Sequence, residues 1–535
     1  MGFPDVKKAL GLTVLFAVLS VAVLSLPCAS QSDADIEDRF EELPFTYVSE
    51  GDTLTVIDYD SSYGDTVDVP AKVVHEGREY TVTGFDSLAI SSTQVKKLIL
   101  PYTLEELYYV ESFCNTLEEI IVDENNESFT SVDGILYSKE MDTIIKYPAG
   151  REQDSFTIDR SVIVIGQGAF SECSLKSIQM SDRVVYIGDT AFLRSEQLSE
   201  INCVDGISHL PTHLITIGDL AFYECGSLEQ LEFPNGLKMI GALSFYATGL
   251  KTVTLWGDLT MVGYGAFSNC KQLTAIDTEN NDRYVSIDGV LYEKGSAESS
   301  TNNVLKIYPA ASPKEILDIP YDVTGIESMA FSGCLYLEEV LMPDQMRAVG
   351  SMTFFGCTSL KSVVLGPNVL TIDSGAFEDC VNLTKVEWCD NLIMIDTMAF
   401  SGTGFTELVI PDSVLILEEY AFSSCENLKT VSIPESLQLL GTNAFLGCFS
   451  LETINISGTF VSMEEYALGI GDESTQVTVD VNVDKGFVIP ENVGNEYTTI
   501  NWKVAGERPY PYENLIGVAI CVLVLAFIIR MFREV

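Results

Sequence analysis

Residues 334–380 read CLYLEEVLMPDQMRAVGSMTFFGCTSLKSVVLGPNVLTIDSGAFEDC, one unit written out twice. Each copy closes on an aromatic three residues before a cysteine, Phe354 with Cys357 and Phe377 with Cys380. The anchor continues through Phe331, Phe354, Phe377, Phe400, Phe422 and Phe445 at steps of 22 or 23 residues. Upstream it recurs at Phe170, Phe192, Phe222, Phe245 and Phe267, and Leu468 takes the slot after Phe445. A fixed period of this size, sustained over most of a chain, predicts a solenoid in which each unit buries its apolar edge only against its neighbours.

The grammar inside one unit predicts a β-rich coil. After the cysteine, apolar residues stand at Leu360, Val363 and Leu365, then at Leu383, Val386 and Trp388, then at Leu428, Val431 and Ile433. The closing alternation has period 2, so it marks a short strand with one side inward. A proline often follows, as at Pro343, Pro411 and Pro434, and turns the chain. Val369 with Ile372, or Val414 with Leu417, then begins a second leg. The Gly-x-x-Ala-Phe-x-x-Cys step is too short for a full helix, so a turn or short helical piece that tucks the Phe inward is expected.

The composite pattern, C-x-x-L-x-x-V-x-I-P-x-x-V-x-x-I-G-x-x-A-F-x-x-C, resembles the BspA-type leucine-rich-repeat family of microbial surface proteins. The resemblance runs over roughly residues 46–470. It implies a strand-lined solenoid carried on a cell surface, and adhesion, which several members perform.

Composition restricts the partners. The chain has 535 residues and a formal net charge of −48, from 78 acidic against 30 basic side chains, which argues against nucleic acid or an anionic membrane surface. With 47% hydrophobic residues it is no disordered acidic tract.

Both ends carry apolar runs. Lys7 and Lys8 precede the run from Leu10 to Leu26, and Pro27-Cys28-Ala29-Ser30 follows, which reads as an export signal over 1–30 cleaved near Ala29 or Ser30. An uncleaved anchor is the alternative. At the other end Leu515 to Ile529 is uninterrupted apolar sequence that Met531 and Phe532 extend, so a membrane helix is expected over 515–532, with a cytoplasmic tail at 533–535 and the body outside. Pro509-Tyr510-Pro511-Tyr512 lies in a stalk assigned to 507–514.

Between these ends the reading is an acidic linker at 31–44, an N-terminal β capping module at 45–90, the repeat solenoid at 91–470, and a C-terminal β cap at 471–506. In the last of these, STQVTVDVNVDKGFVIP alternates strictly and predicts a closing strand pair. Two interruptions match each other: SVDGILYSK with IIKYPAG inside 126–150, and SIDGVLYEK with LKIYPAA inside 281–311. Asp133-Gly134 and Asp288-Gly289 are hairpin turn signals. Such inserts are common in the family that the chain resembles; they serve either as projecting binding loops or as spacers.

Eight cysteines share one register: Cys173, Cys225, Cys270, Cys334, Cys357, Cys380, Cys425 and Cys448. Neighbouring rungs about 4.8 Å apart would bring adjacent thiols within disulfide reach. Ser195, Thr248 and Thr403 stand in the same slot, which favours a ladder of buried thiols, since an essential pair cannot lose one member.

No catalytic, cofactor or metal-binding set is read from the chain. His75, His209 and His213 are its only histidines, and none lies near a nucleophile motif. The acidic turns at Asp123-Glu124-Asn125-Asn126 and Asp277 to Asp282 lack the spacing of a Ca²⁺ loop and read as Asx turns. Asn126, Asn382 and Asn455 lie in glycosylation sequons.

The candidate ligand face is therefore the outward side of the strands. Lys361, Lys385 and Lys429 are expected to form a local positive stripe there, beside Glu338, Glu387 and Ser432. Lysines that merely relieve repulsion among glutamates are the plainer alternative. Taken together, the sequence describes a membrane-anchored surface protein that binds an extracellular protein or glycan. A structural envelope coat without a specific ligand is the rival reading.

Overall fold

Val340, Val363 and Val386 meet one requirement three times over. Each is the buried middle residue of a three-residue strand whose two neighbours turn outward. The strands Glu339–Leu341, Ser362–Val364 and Lys385–Glu387 run parallel and in register, so that Val363 stands between Val340 and Val386. A three-residue strand has too few hydrogen bonds to hold by itself, and it persists here because rungs lie on both sides.

The structure is a computed structural model of the chain, and it describes residues 39–505 apart from 205, 296–302 and 459–460. The assigned export signal, the stalk, the membrane segment 515–532 and the tail lie outside the described residues. No helix among the described residues is long and apolar enough to cross a membrane. The described chain falls into two units, one ending at Lys139 and one beginning at Glu140.

In the first unit Arg39–Glu42, Phe45–Glu50 and Thr53–Tyr59 pair antiparallel in that order. Thr53–Tyr59 continues parallel to Arg78–Asp86, which takes Lys72–His75 on its other side. The segment read as a linker is thus a strand from Arg39 onward, because Phe40 finds aromatic partners in Tyr47, Tyr80 and His75. A second, parallel ladder of Thr66–Asp68, Lys97–Leu100 and Glu119–Val122 carries the first strand rungs. Phe129–Val132 and Ile135–Ser138 form the expected hairpin, with φ of 51° at Asp133 and 77° at Gly134, as a two-residue turn with both centres left-handed requires.

The second unit is a solenoid with three hydrogen-bonded edges. The strand ladder above is one, and it resumes through Glu407–Val409, Thr430–Ile433 and Thr453–Ile456. Two-residue strands make the second, from Ala348–Val349 through Thr371–Ile372, Met394–Ile395, Ile416–Leu417 and Leu439–Leu440 to Ser462–Met463. The third is the Ala-Phe turn: Phe354 N–H donates to Ala376 O, Phe377 to Ala399 O and Phe400 to Ala421 O, each at 2.8 Å.

Of the two forms expected at this step, the chain takes the turn and not the short helical piece. Residues two before and two after the anchor are left-handed, as at Met352 (φ 53°), Asp379 (φ 58°), Met398 (φ 56°) and Ser424 (φ 56°). Left-handed residues four apart break any helix, and they aim backbone N–H and C=O groups along the solenoid axis. At the Ile-Gly step the rungs are closer still: a Cβ on Gly241 would stand 2.4 Å from the Gly218 carbonyl carbon.

Inside the turns the anchor rings stack. Centroids are 4.7 Å apart for Phe331 and Phe354, 5.2 Å for Phe354 and Phe377, 5.0 Å for Phe377 and Phe400, and 6.2 Å for Phe422 and Phe445. Tyr147 and Tyr308 extend the column at 5.4 Å from Phe170 and 4.9 Å from Phe331. Their N–H groups donate to Ala169 O and Ala330 O, so the Tyr-Pro-Ala of each insert is an anchor turn of its own. The Tyr-Pro-Ala end of each insert is therefore built into the coil.

The cysteine slot also works rung to rung. The thiols of Cys357 and Cys380 donate to Phe331 O and Phe354 O at 3.0 and 3.1 Å, and Ser195 Oγ donates likewise to Phe170 O at 2.7 Å. Among the described residues the cysteines are free. Burial pushes the Cys173 thiol up to about 12 and the Cys270 thiol up to about 11, which leaves both protonated and unreactive.

At the far end the alternating stretch forms Val477–Val483, parallel to Thr453–Ile456 on one side and to Thr498–Val504 on the other. The closing pair is thus two longer parallel rungs, held by Val477, Val479, Val481 and Val483 on the inner face. Phe377 lies in the middle of the column and is fully buried. Phe377→Ala is expected to cost about 3–5 kcal/mol, read by denaturant unfolding, with hydrogen exchange quickened first in the neighbouring turns.

Candidate ligand-binding face

The outward side chains of the strand ladder form columns, because in-register parallel strands place equivalent residues side by side. Lys361 and Lys429 each immediately precede a strand, Ser362–Val364 and Thr430–Ile433, and so hold equivalent positions. Lys385 is itself a strand residue, in register with Ser362. Ser432 stands between Val409 and Asn455.

Two of the lysines meet the glutamates named with them. Lys361 Nζ lies 2.6 Å from Glu338 Oε2, and Lys385 pairs with Glu387 on its own strand. Lys429 has no ion pair among the described residues. Two of the three cations are thus matched locally, and exposed pairs of this kind add little stability, since water screens both charges.

The histidines are also engaged. His75 Nδ1 lies 2.9 Å from Glu42, His209 Nδ1 lies 3.0 Å from Glu232, and His213 Nδ1 lies 3.0 Å from Asp182 O. Among the described residues no His, Cys, Asp or Glu group gathers as a metal set. Asn126 and Asn281 are structural: each is buried, its Nδ2 donates to two carbonyls of an earlier rung, and its Oδ1 receives two N–H groups of the following hairpin. The Asn126 sequon is for that reason inaccessible to a glycan in the folded chain.

A concavity interrupts the face elsewhere. The anchors Phe192 and Phe222 are 30 residues apart, and the surplus makes a loop in which Val204 and Ile207 exchange both backbone hydrogen bonds at 3.0 Å. Glu200–Ile201 ends one strand ladder, and Thr252–Trp256 with Ala275–Glu279 starts another. In the rung between, Glu232 makes only an isolated bridge with His209. The resulting groove, about 1240 Å³, is lined by both segments and by Trp256. The 30-residue step was its one signal in the sequence.

An acidic cluster lies on the turn edge. The Glu378 carboxyl is pushed up to about 7, by burial first and then by the charge of Asp379. Asp373 is raised as well, by burial and then by Asp396, although its bond from Thr371 works the other way.

Stacked parallel rungs with an inward aliphatic strand and an inward aromatic turn define a leucine-rich-repeat solenoid. The profile described as BspA type Leucine rich repeat region matches residues 149–274, 204–293, 311–406 and 393–485. These matches span more than half of the chain, and the chain belongs to that family. No curated protein matches it. Among solved structures it is similar to a leucine rich cell surface protein from Faecalibacterium prausnitzii, at 24% identity over 80% of this chain and 97% of that one, with a TM-score of 0.45. It is also similar to the pneumococcal vaccine antigen PcpA, at 19% identity over 88% and 100%, with a TM-score of 0.44.

Two outcomes follow. Replacing Lys361, Lys385 and Lys429 together with serine is expected to leave the melting temperature close to that of the parent, measured by circular dichroism; a large fall would make these pairs structural. For Glu378 the folded chain holds the proton up to about pH 7, whereas the unfolded chain releases it near 4.5. Its contribution is therefore complete below pH 4.5 and is lost as pH rises through 7. Glu378→Gln should gain on the parent in thermal stability across that window, and parallel melting curves would show the carboxyl to be solvated.

Proposed function

We propose that this chain is a surface-displayed binding protein, an adhesin in the broad sense, whose strand face takes an extracellular protein or glycan. In this reading an N-terminal signal exports the body, and residues 515–532 hold it in the membrane with the C-terminus in the cytoplasm. The observation that carries it is the strand ladder itself. Along each run of paired rungs the strands turn side chains outward on a rigid surface, while the aliphatic and aromatic residues that hold the rungs together face inward. Such a face changes its chemistry by substitution at outward positions without touching the core, which is how solenoids serve as recognition surfaces. The family membership supports the same reading. The net charge of −48 suits a body that remains dispersed in solution and selects partners by local contrast.

Proteinase added to intact cells should digest the body and leave a membrane fragment containing residues 515–535. The released body, passed over immobilised matrix proteins and glycans, should be retained by at least one of them. Protein protected inside the cell would defeat the topology. Self-association with no retention would mark a coat component instead.

A further inference from the structure

We infer that the groove beside Trp256 is a binding site for a neutral oligosaccharide, an inference that rests on the surface-binding reading and names the ligand class of one part of that face. Thr252–Trp256 alternates cleanly: Val253 and Leu255 are buried, so Thr252, Thr254 and Trp256 share the outward side and line the groove. The indole is partly buried, which holds its ring in place while leaving it open to the groove. An aromatic plane beside hydroxyl and amide groups matches a sugar, whose C–H face stacks on the ring while its hydroxyls take hydrogen bonds at the edge.

Charge decides between neutral and ionic ligands. The charged groups around the groove have partners of their own: His209 with Glu232 at 3.0 Å, Lys251 with Glu229, and Asp182, which accepts from the Thr212 hydroxyl at 3.2 Å. The side chains of Gln230, Thr252 and Thr254 make no hydrogen bond among the described residues, and Asn202 uses only its Oδ1, which accepts from Met180 N. The open capacity is therefore neutral donors and acceptors, on a protein that is otherwise strongly acidic. At about 1240 Å³ the space exceeds the roughly 300–1,000 Å³ of a small-molecule pocket. Open along the face, it suits several linked sugar units. Val204 and Ile207, on the loop that the surplus residues create, supply an exposed apolar rim.

The test uses the full chain with cellohexaose, maltohexaose, xylohexaose and chitohexaose as neutral probes, a heparin hexasaccharide as the sulfated probe, and a gelatin peptide pool. Binding is read by calorimetry and by indole fluorescence. At least one neutral hexasaccharide is expected to bind with an affinity insensitive to sodium chloride. Trp256→Ala and the double variant Gln230→Ala/Thr254→Val should each weaken it by about tenfold or more, with melting unchanged in the double variant, and Trp256→Phe should retain part of it. Binding by no neutral probe, binding untouched by these variants, or binding only of heparin or of peptide overturns the inference. Retention of the released body on a matrix protein without saccharide binding sinks this inference and leaves the broader function standing. Failure of both sinks both.

Discussion

Stacking of one rung on the next is the interaction on which everything else here depends. No unit of 22 or 23 residues can bury its own apolar edge, and none contains a strand longer than a few residues, so each takes its stability from its neighbours. The phenylalanine column shows this most directly. Its rings lie nearly parallel, with an interplanar angle of 2° between Phe354 and Phe377 and 4° between Phe400 and Phe422. Offset parallel rings at about 5 Å are a favourable aromatic arrangement, and the spacing equals that of hydrogen-bonded strands. Ring stacking and backbone pairing therefore demand the same rise per turn.

That agreement explains the residue choices around the anchor. The left-handed positions on either side of the Phe direct backbone N–H and C=O groups along the axis, where the next turn receives them. The slot three residues after the anchor needs a small side chain with a hydrogen to give, and it accepts Cys, Ser or Thr. Thr248 and Thr403 turn their hydroxyls to the carbonyl of their own anchor, Phe245 or Phe400, at 3.0 and 2.8 Å. Cys270 and Cys425 of the following rungs reach those same carbonyls at 3.0 and 3.3 Å. A disulfide would remove the donor that makes the slot useful.

Departures from the period divide into two kinds. The two hairpin inserts are absorbed: each returns a tyrosine to the aromatic column, and a buried asparagine ties each to an earlier rung. The surplus between Phe192 and Phe222 is not absorbed, and it opens the strand ladder where the groove lies. An uninterrupted ladder presents a flat, regular surface, whereas a concavity needs the ladder to break, and the groove falls at the irregular repeat.

Period, strand positions and inward residues were all legible in the sequence, since they depend on spacing along one segment. Val363, Ile372 and Phe377 are buried because period 2 and the 23-residue step place them there, whatever the neighbouring rungs contain. The thiol slot was legible for the same reason, through its tolerance of Ser195 and Thr403. Tertiary structure alone decided what depends on the adjacent rung. Tyr147 and Tyr308 are anchors because a stacked ring needs a flat face, which tyrosine has, although the pattern asked for phenylalanine. The anchor turns are left-handed and not helical because alternate N–H groups, such as those of Met352, Phe354 and Gly356, bond to the next rung. Lys361 found its partner in Glu338, and Trp256 came to share a groove with Asn202 and Gln230, through proximity across turns that no single segment encodes.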